Sequence, residues 1–113
     1  MKSEDKKIIS DFILFLESDT EKGKWQNGSY SYAMEIRNFI EYVFDSGIAL
    51  QYENSEERQR LLNEKAVSDM NIEEIRKYIF MVFSCERFSD GLIMSHIKKG
   101  KLAEALKKLL TDI

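Results

Sequence analysis

NIEEIRKYIFMVFSCE, residues 71–86, is the stretch that decides the fold of this chain. Asn71 followed by Glu74 matches a capping box, in which each side chain binds the other residue's backbone N–H at a helix start. After it, apolar residues occupy nearly every side of a helix, and helices of that kind lie in the middle of a core. We therefore predict a buried central helix over residues 72–86. The run 78–83 also fits a buried strand, but the capping box and the lack of a partner strand favour the helix.

Helical periodicity extends outward from this segment in both directions. It predicts an all-α fold, a compact bundle of five or six helices that forms one domain over residues 1–113. Residues 18–29, which contain the turn pair Asn27-Gly28, are expected to be a loop, and 48–52 stay unassigned. The first predicted helix covers residues 4–17 with Ser3 as its N-cap, and the second has apolar positions from Tyr32 to Phe44 before Gly47. Asn54 is predicted to cap a third helix. After the central helix, a fifth helix is predicted to end at Gly100, and the apolar face of the last helix ends at Ile113.

Composition agrees with a helical globular domain. The chain is 43% apolar and 33% charged, and it contains no proline and five glycines, so few residues interrupt helices. The single cysteine, Cys85, cannot form an intramolecular disulfide, which fits a reducing compartment. No segment approaches the roughly 20 apolar residues of a membrane span. We expect a cytoplasmic protein that does not enter a membrane.

Charge is unevenly distributed along the chain. Residues 1–57 carry six Lys and Arg against twelve Asp and Glu, whereas residues 58–113 carry eleven against eight. The basic end, with Lys98, Lys99 and Lys101, could attract an acidic partner or a phosphate backbone, or it could be a solvated face that balances its own acidic half. The acidic half argues against a nucleic-acid partner, because phosphate neutralisation supplies most of that affinity.

The residues that several kinds of catalysis require are absent from this sequence. One histidine and one cysteine do not provide the usual ligands of a zinc site, and no phosphate-binding loop, dinucleotide fingerprint or nucleophile elbow is present. We therefore nominate no catalytic residue, no metal ligand and no cofactor. Whether the protein is an enzyme stays open, with the sequence favouring a non-catalytic role.

The densest polar cluster is the turn Glu86–Gly91, between the central helix and the next one. A structural interpretation has Ser89 or Asp90 capping the fifth helix and Phe88 filling the core. A functional interpretation has Arg87 and free helix N–H groups binding an anion, with Glu86 orienting the arginine. The candidate ligand-binding residues are Glu86, Arg87, Asp90, Gly91 and His96.

This turn resembles an E-R-F-x-D-G motif of an uncharacterised family of small bacterial helical domains. The match is specific over residues 72–110, through Glu86, Arg87, Phe88, Asp90 and Gly91, and looser elsewhere. Ser89 replaces a cysteine associated with that position, which argues against thiol chemistry there. The resemblance implies an all-helical fold and brings no established activity.

Three further side chains have both a structural and a functional interpretation. Trp25 in the loop would either fold back as a lid on the core or, with Tyr30 and Tyr32, anchor a partner. His96 could be catalytic but is expected to be partly exposed and without function. Cys85 could be a reactive thiol with Arg87 as its positive neighbour but is expected to act as a small apolar residue. The candidate interaction surface is Trp25, Tyr30, Tyr32, Lys98, Lys99 and Lys101.

The sequence favours two functional hypotheses over a third, which is nucleic-acid binding through the C-terminal lysines. The first is a non-catalytic interaction or regulatory module of the bacterial cytosol, with a protein partner or self-association. The second is a small-molecule or anion-binding domain that uses the Glu86–Gly91 turn.

Overall fold

The computed structural model describes residues 2–111, in which six α-helices surround one core and a two-stranded hairpin follows the first helix. The all-α class is confirmed, with this small hairpin as an addition. The elements are α1 (Ser3–Glu17), β1 (Gly23–Gln26), β2 (Ser29–Tyr32), α2 (Met34–Asp45), α3 (Ser55–Gln59) with a π-helical turn Arg60–Glu64, a 3-10 turn Val67–Asp69, α4 (Ile72–Ser84) with a 3-10 turn Cys85–Phe88, α5 (Leu92–Lys98) and α6 (Lys101–Thr111).

Helix α4 is the central helix, as its sequence predicts. Asn71 accepts a hydrogen bond from the Glu74 N–H at 2.8 Å, and Glu74 accepts one from the Asn71 N–H at 3.1 Å. The capping box therefore fixes where α4 begins. Its buried residues come from almost every side of the helix: Ile75, Lys77, Tyr78, Ile79, Met81, Val82 and Phe83. A strand over 78–83 is excluded.

Helices α6 and α5 and the π-helical turn pack against α4, and α1 packs on α6 and α2. The leucine face of α6 is fully buried through Leu102, Leu106 and Leu109. Phe12 of α1 and Phe39 of α2 stack with their ring centroids 3.8 Å apart, so the aromatic faces of these helices close one side of the core. Ile113, the last residue of the predicted apolar face, lies outside the described residues.

The predicted loop over 18–29 is partly wrong, because residues 23–32 form an antiparallel hairpin. Asn27 and Gly28 have φ angles of +51° and +84°, as the two central residues of a tight hairpin turn require. Trp25 lies opposite Tyr30 across the ladder, and Gly23 lies opposite Tyr32. Tyr32 therefore ends a strand and does not begin the second helix, which starts at Met34.

The start of α1 also differs from its prediction. Lys2 is the N-cap residue and Ser3 is already helical. The Asp5 carboxylate accepts a hydrogen bond from the Lys2 N–H at 3.1 Å, so it binds the N–H of the N-cap residue and not the first-turn N–H groups that a Ser3 cap would have bound. This negative charge in the first turn also lies at the positive end of the helix dipole.

Candidate functional site

Glu86 connects the hairpin to α5. Its carboxylate accepts hydrogen bonds from the Tyr32 hydroxyl at 2.7 Å, the Gly91 N–H at 2.6 Å and the Ile93 N–H at 2.8 Å. The Tyr32 hydroxyl also accepts a hydrogen bond from the Met94 N–H at 3.1 Å. We call these five residues the Glu86 junction. Burial, reinforced by the bond to Glu86, raises the pKa of Tyr32, so its hydroxyl stays protonated and can donate.

The Glu86 junction fills the start of α5. Gly91 is the N-cap residue, at φ +89°, and neither Ser89 nor Asp90 caps the helix. The predicted cap was therefore wrong, because the 3-10 turn after α4 places a carboxylate from the preceding helix over the same N–H groups. An anion bound there would have to displace Glu86, since one negative group already occupies the position.

Arg87 and Phe88 lie on the outside of this turn. The Arg87 guanidinium carbon is 4.7 Å from the centroid of the Phe88 ring, and Phe88 is 77% exposed. The prediction that Phe88 fills the core was wrong, because the 3-10 turn directs its side chain to solvent. Among the ion pairs formed within residues 2–111, none includes Arg87, so Glu86 does not orient it.

A row of aromatic rings runs along one face of the hairpin towards Glu86. Trp25 packs edge-on against Tyr30 with centroids 5.1 Å apart, and Tyr30 is 4.9 Å from Tyr32. Gly23 lies on the same face, where a Cβ atom would come within 2.6 Å of a backbone oxygen and 2.7 Å of the Tyr30 ring. The absence of a side chain at Gly23 thus lets the row pack closely.

The hairpin and α5 border an open groove of about 420 Å³, which we call the hairpin groove. Trp25 is 60% exposed there, so the alternative in which it covers the core is wrong. The Trp25 ring would lie 3.5 Å from a Cβ atom at Gly91, so the two elements approach closely. The hairpin groove brings together six residues nominated from the sequence: Trp25, Tyr30, Asp90, Gly91, Lys98 and Lys99.

The C-terminal lysines divide into structural and exposed groups. Lys101 donates to the carbonyls of Leu61 and Leu62 at 3.2 and 2.9 Å, so its ammonium holds the end of the π-helical turn. Lys98 and Lys99 are exposed, and in the described part of the chain neither ammonium is held by an ion pair. The exposed positive charge of this end is therefore concentrated beside Trp25.

Lys107 and Lys108 are also engaged within the fold. Lys107 pairs with Glu17 of α1 at 2.7 Å. Lys108 donates to three carbonyls of the segment before α4, among them Ser68 at 3.0 Å. These bonds tie α6 to its neighbours and reduce the basic surface that the sequence suggested.

His96 is buried, contrary to its predicted partial exposure. Only 2% of it is exposed, and its Nδ1 lies 2.6 Å from the hydroxyl of Tyr78. Burial, with the nearby charges of Lys101 and Lys99, lowers the pKa of His96 to about 4, so the ring is neutral at pH 7. Because α4 and α5 pack this pair between them, His96 does not reach the hairpin groove.

Tyr78 and Met94 were not nominated from the sequence, and both contribute to this region. Tyr78 is the fully buried partner of His96, while Met94 lines the hairpin groove. Tyr78 belongs to the apolar run that predicted the central helix, but no local signal paired a tyrosine with a histidine 18 positions away. Cys85 is partly buried at the end of α4.

Residues 2–111 contain neither a metal-binding cluster nor a membrane-spanning helix. No group of three or more His, Cys, Asp or Glu side chains in that range could hold a metal ion. None of the helices described is both long and apolar enough to cross a bilayer.

The fold defines a small helical domain with a projecting hairpin and a groove beside it. The family model described as "Family of unknown function (DUF6508)" matches residues 11–111, and the chain therefore belongs to this family. The resemblance to an uncharacterised family is thereby confirmed, while the E-R-F-x-D-G motif and the bacterial origin stay predictions. No curated protein and no solved structure shows significant similarity to the chain.

Proposed function

We propose that this protein is a non-catalytic interaction module whose hairpin groove binds an acidic segment of a partner protein. The observation that carries the proposal is the 60% exposure of Trp25, held by Tyr30 beside the exposed Lys98 and Lys99. Tryptophan is enriched among residues that dominate binding energy, and here its ring is held in place before any partner arrives.

Charge complementarity selects the chemistry of the partner. Lys98 and Lys99 share the groove with a single carboxylate, Asp90, so the surface carries a net positive charge. A partner segment with an apolar or aromatic anchor and flanking Asp or Glu would place the anchor on Trp25 and its charges on the lysines. Such rim charges govern the association rate and its salt dependence.

The test is affinity capture followed by a matched set of charge variants. The folded protein should retain a stoichiometric protein partner, and Lys98→Glu with Lys99→Glu should abolish retention. Lys24→Glu is the control, because Lys24 is exposed on the hairpin and does not line the groove. The proposal would be contradicted if the groove variant and the Lys24 variant retained equal amounts of the partner. It would also be contradicted if Trp25→Ala retained as much partner as the unaltered protein.

A small anionic molecule is the second candidate for the same groove. Its volume of about 420 Å³ falls within the range of ligand pockets, and Trp25 offers a flat face beside two ammonium groups. The backbone N–H groups at the start of α5 already donate to Glu86, so Lys98 and Lys99 would have to bind the negative groups of the molecule. A melting-temperature screen with nucleotides and phosphorylated metabolites tests it, since a ligand at 100 times its Kd adds about 2.7 kcal/mol. No shift across the screen would reject it.

We further propose that the module acts in the bacterial cytoplasm. Its single unpaired Cys85 and its lack of a described membrane-spanning helix support this location. Fractionation of the native host with an antibody against the folded domain would test it, and recovery from the extracellular fraction would contradict it.

A further inference from the structure

A second groove lies between α1 and α2, and we call it the α1–α2 groove. Its floor is the stacked pair Phe12 and Phe39, and its walls include Phe15 and Tyr42. The volume is about 390 Å³, and none of its lining residues belongs to the hairpin groove. It is thus a separate apolar surface, on the acidic half of the chain.

Carboxylates surround the α1–α2 groove. The two helices together carry seven Asp and Glu against three Lys and Arg. Asp11 and Glu35 lie on the rim, one from each helix. Of the three cations, Lys7 is already paired with Asp11 at 2.9 Å, and Arg37 lines a different hollow beside the hairpin. The two helices that form the groove therefore carry a net charge of −4, and Glu35 is the rim carboxylate without an ion pair among the described residues.

The aromatic wall of the groove already accepts one cation from its own chain. The Lys22 ammonium lies 5.0 Å from the centroid of the Phe15 ring, within the range of a cation–π contact. A ligand with apolar and positively charged groups would therefore find both an apolar floor and a rim that favours cations. The neighbouring Tyr42 hydroxyl donates to Asp5, which fixes that ring as a wall.

We propose that the α1–α2 groove binds a basic amphipathic helix of a partner protein. The furrow between two packed helices matches the ridge of side chains on a third, spaced at i, i+3, i+4 and i+7. Apolar residues of the incoming helix cover Phe12 and Phe39, while its flanking Lys and Arg side chains face Asp11 and Glu35. With the hairpin groove taking an acidic segment, the protein would join two partners of opposite charge.

The test uses a displayed library of amphipathic helices with one constant apolar face and flanking positions that encode either Lys or Glu. Selection on the folded protein should enrich Lys-rich members, and synthetic peptides of those sequences should bind more weakly as salt is raised. Glu35→Lys should weaken their binding about tenfold, the loss expected when an attractive rim charge becomes repulsive. Glu41→Lys is the matched control, because Glu41 is exposed on the same helix outside the groove.

Three outcomes would overturn this proposal: enrichment of Glu-rich helices, failure to enrich any helix, or equal effects of the two charge reversals. The proposal would also be overturned if the protein formed a concentration-dependent dimer that Glu35→Lys disrupted. A second copy of the chain would then occupy the α1–α2 groove. Lys98→Glu with Lys99→Glu should leave peptide binding unchanged. Failure here is therefore distinguishable from failure at the hairpin groove.

Discussion

Replacing Glu86 with alanine is the sharpest test of how this domain is assembled. Its carboxylate accepts three hydrogen bonds, from Tyr32, Gly91 and Ile93. A hydrogen bond to a charged group contributes about 1.5–3 kcal/mol, but Glu86 is only partly buried and water would replace some of what is lost. We expect Glu86→Ala to lower the free energy of unfolding by about 3 kcal/mol, and the melting temperature by about 13 °C.

The assay is urea unfolding followed by far-UV circular dichroism, with the adjacent residue as control. Arg87 is exposed and Arg87→Ala should change stability by less than about 0.5 kcal/mol. Glu86→Gln keeps one acceptor oxygen and should lose about half as much as alanine. Tyr32→Phe should cost about 1 kcal/mol, and combining it with Glu86→Ala should be less than additive because both remove one shared bond.

The reasoning would be refuted if Glu86→Ala stayed within about 1 kcal/mol of the unaltered protein. Equal decreases in the free energy of unfolding for Glu86→Ala and Arg87→Ala would also refute it, because only Glu86 takes part in the Glu86 junction. A fully additive double variant would show that Tyr32 and Glu86 act independently.

The remaining predictions concern His96, Gly23 and Ile79. The pKa of His96 is about 4 in the folded protein and about 6.5 in the unfolded chain, so the unfolded chain takes up the proton first as the pH falls. The free energy of unfolding should therefore fall by about 2 kcal/mol from pH 7.5 to pH 5. This pH-dependent loss should be absent from His96→Gln, whose side chain does not titrate. Gly23→Ala should displace Tyr30, change Trp25 fluorescence and cost about 1–3 kcal/mol in urea unfolding, and an unchanged emission spectrum would contradict this. Ile79→Ala, at a fully buried position of α4, should cost about 2–5 kcal/mol, and a loss below 1 kcal/mol would contradict the central position of that helix.

The central helix was predictable because all its signals are local. Asn71 and Glu74 form their reciprocal bonds within one turn, and the apolar run follows directly. The hairpin was missed although Asn27-Gly28 is a strong turn signal, because both strands are short and mostly exposed. Without an alternating buried face, the segment has the composition of a loop.

Sequence reasoning nominated six of the residues that line the hairpin groove, but it did not predict how the nominated residues are arranged. Local patterns identified Glu86 and Asp90 as capping or anion-binding candidates, but which one reaches the α5 backbone depends on the 3-10 turn between them. Likewise, the exposure of His96 depends on which face of α5 packs against α4. The pattern of apolar residues along the sequence does not predict this rotation. Trp25 and Lys98 are far apart in sequence, and only the path of the hairpin brings them to one groove.

The hairpin is attached to the helical body mainly at its base, where the Tyr32 hydroxyl meets Glu86 and α5. Its tip, including the exposed Asn27, therefore contributes little to the packing that keeps the six helices together. Sequence changes at the exposed tip, over residues 26–29, should therefore leave the stability of the helical scaffold nearly unchanged, whereas Gly23 at the base does not tolerate a side chain. Under the proposed function, the residues that contact a partner and the residues that hold the scaffold would thus lie on different parts of one short ribbon, the former near its tip and the latter at its base.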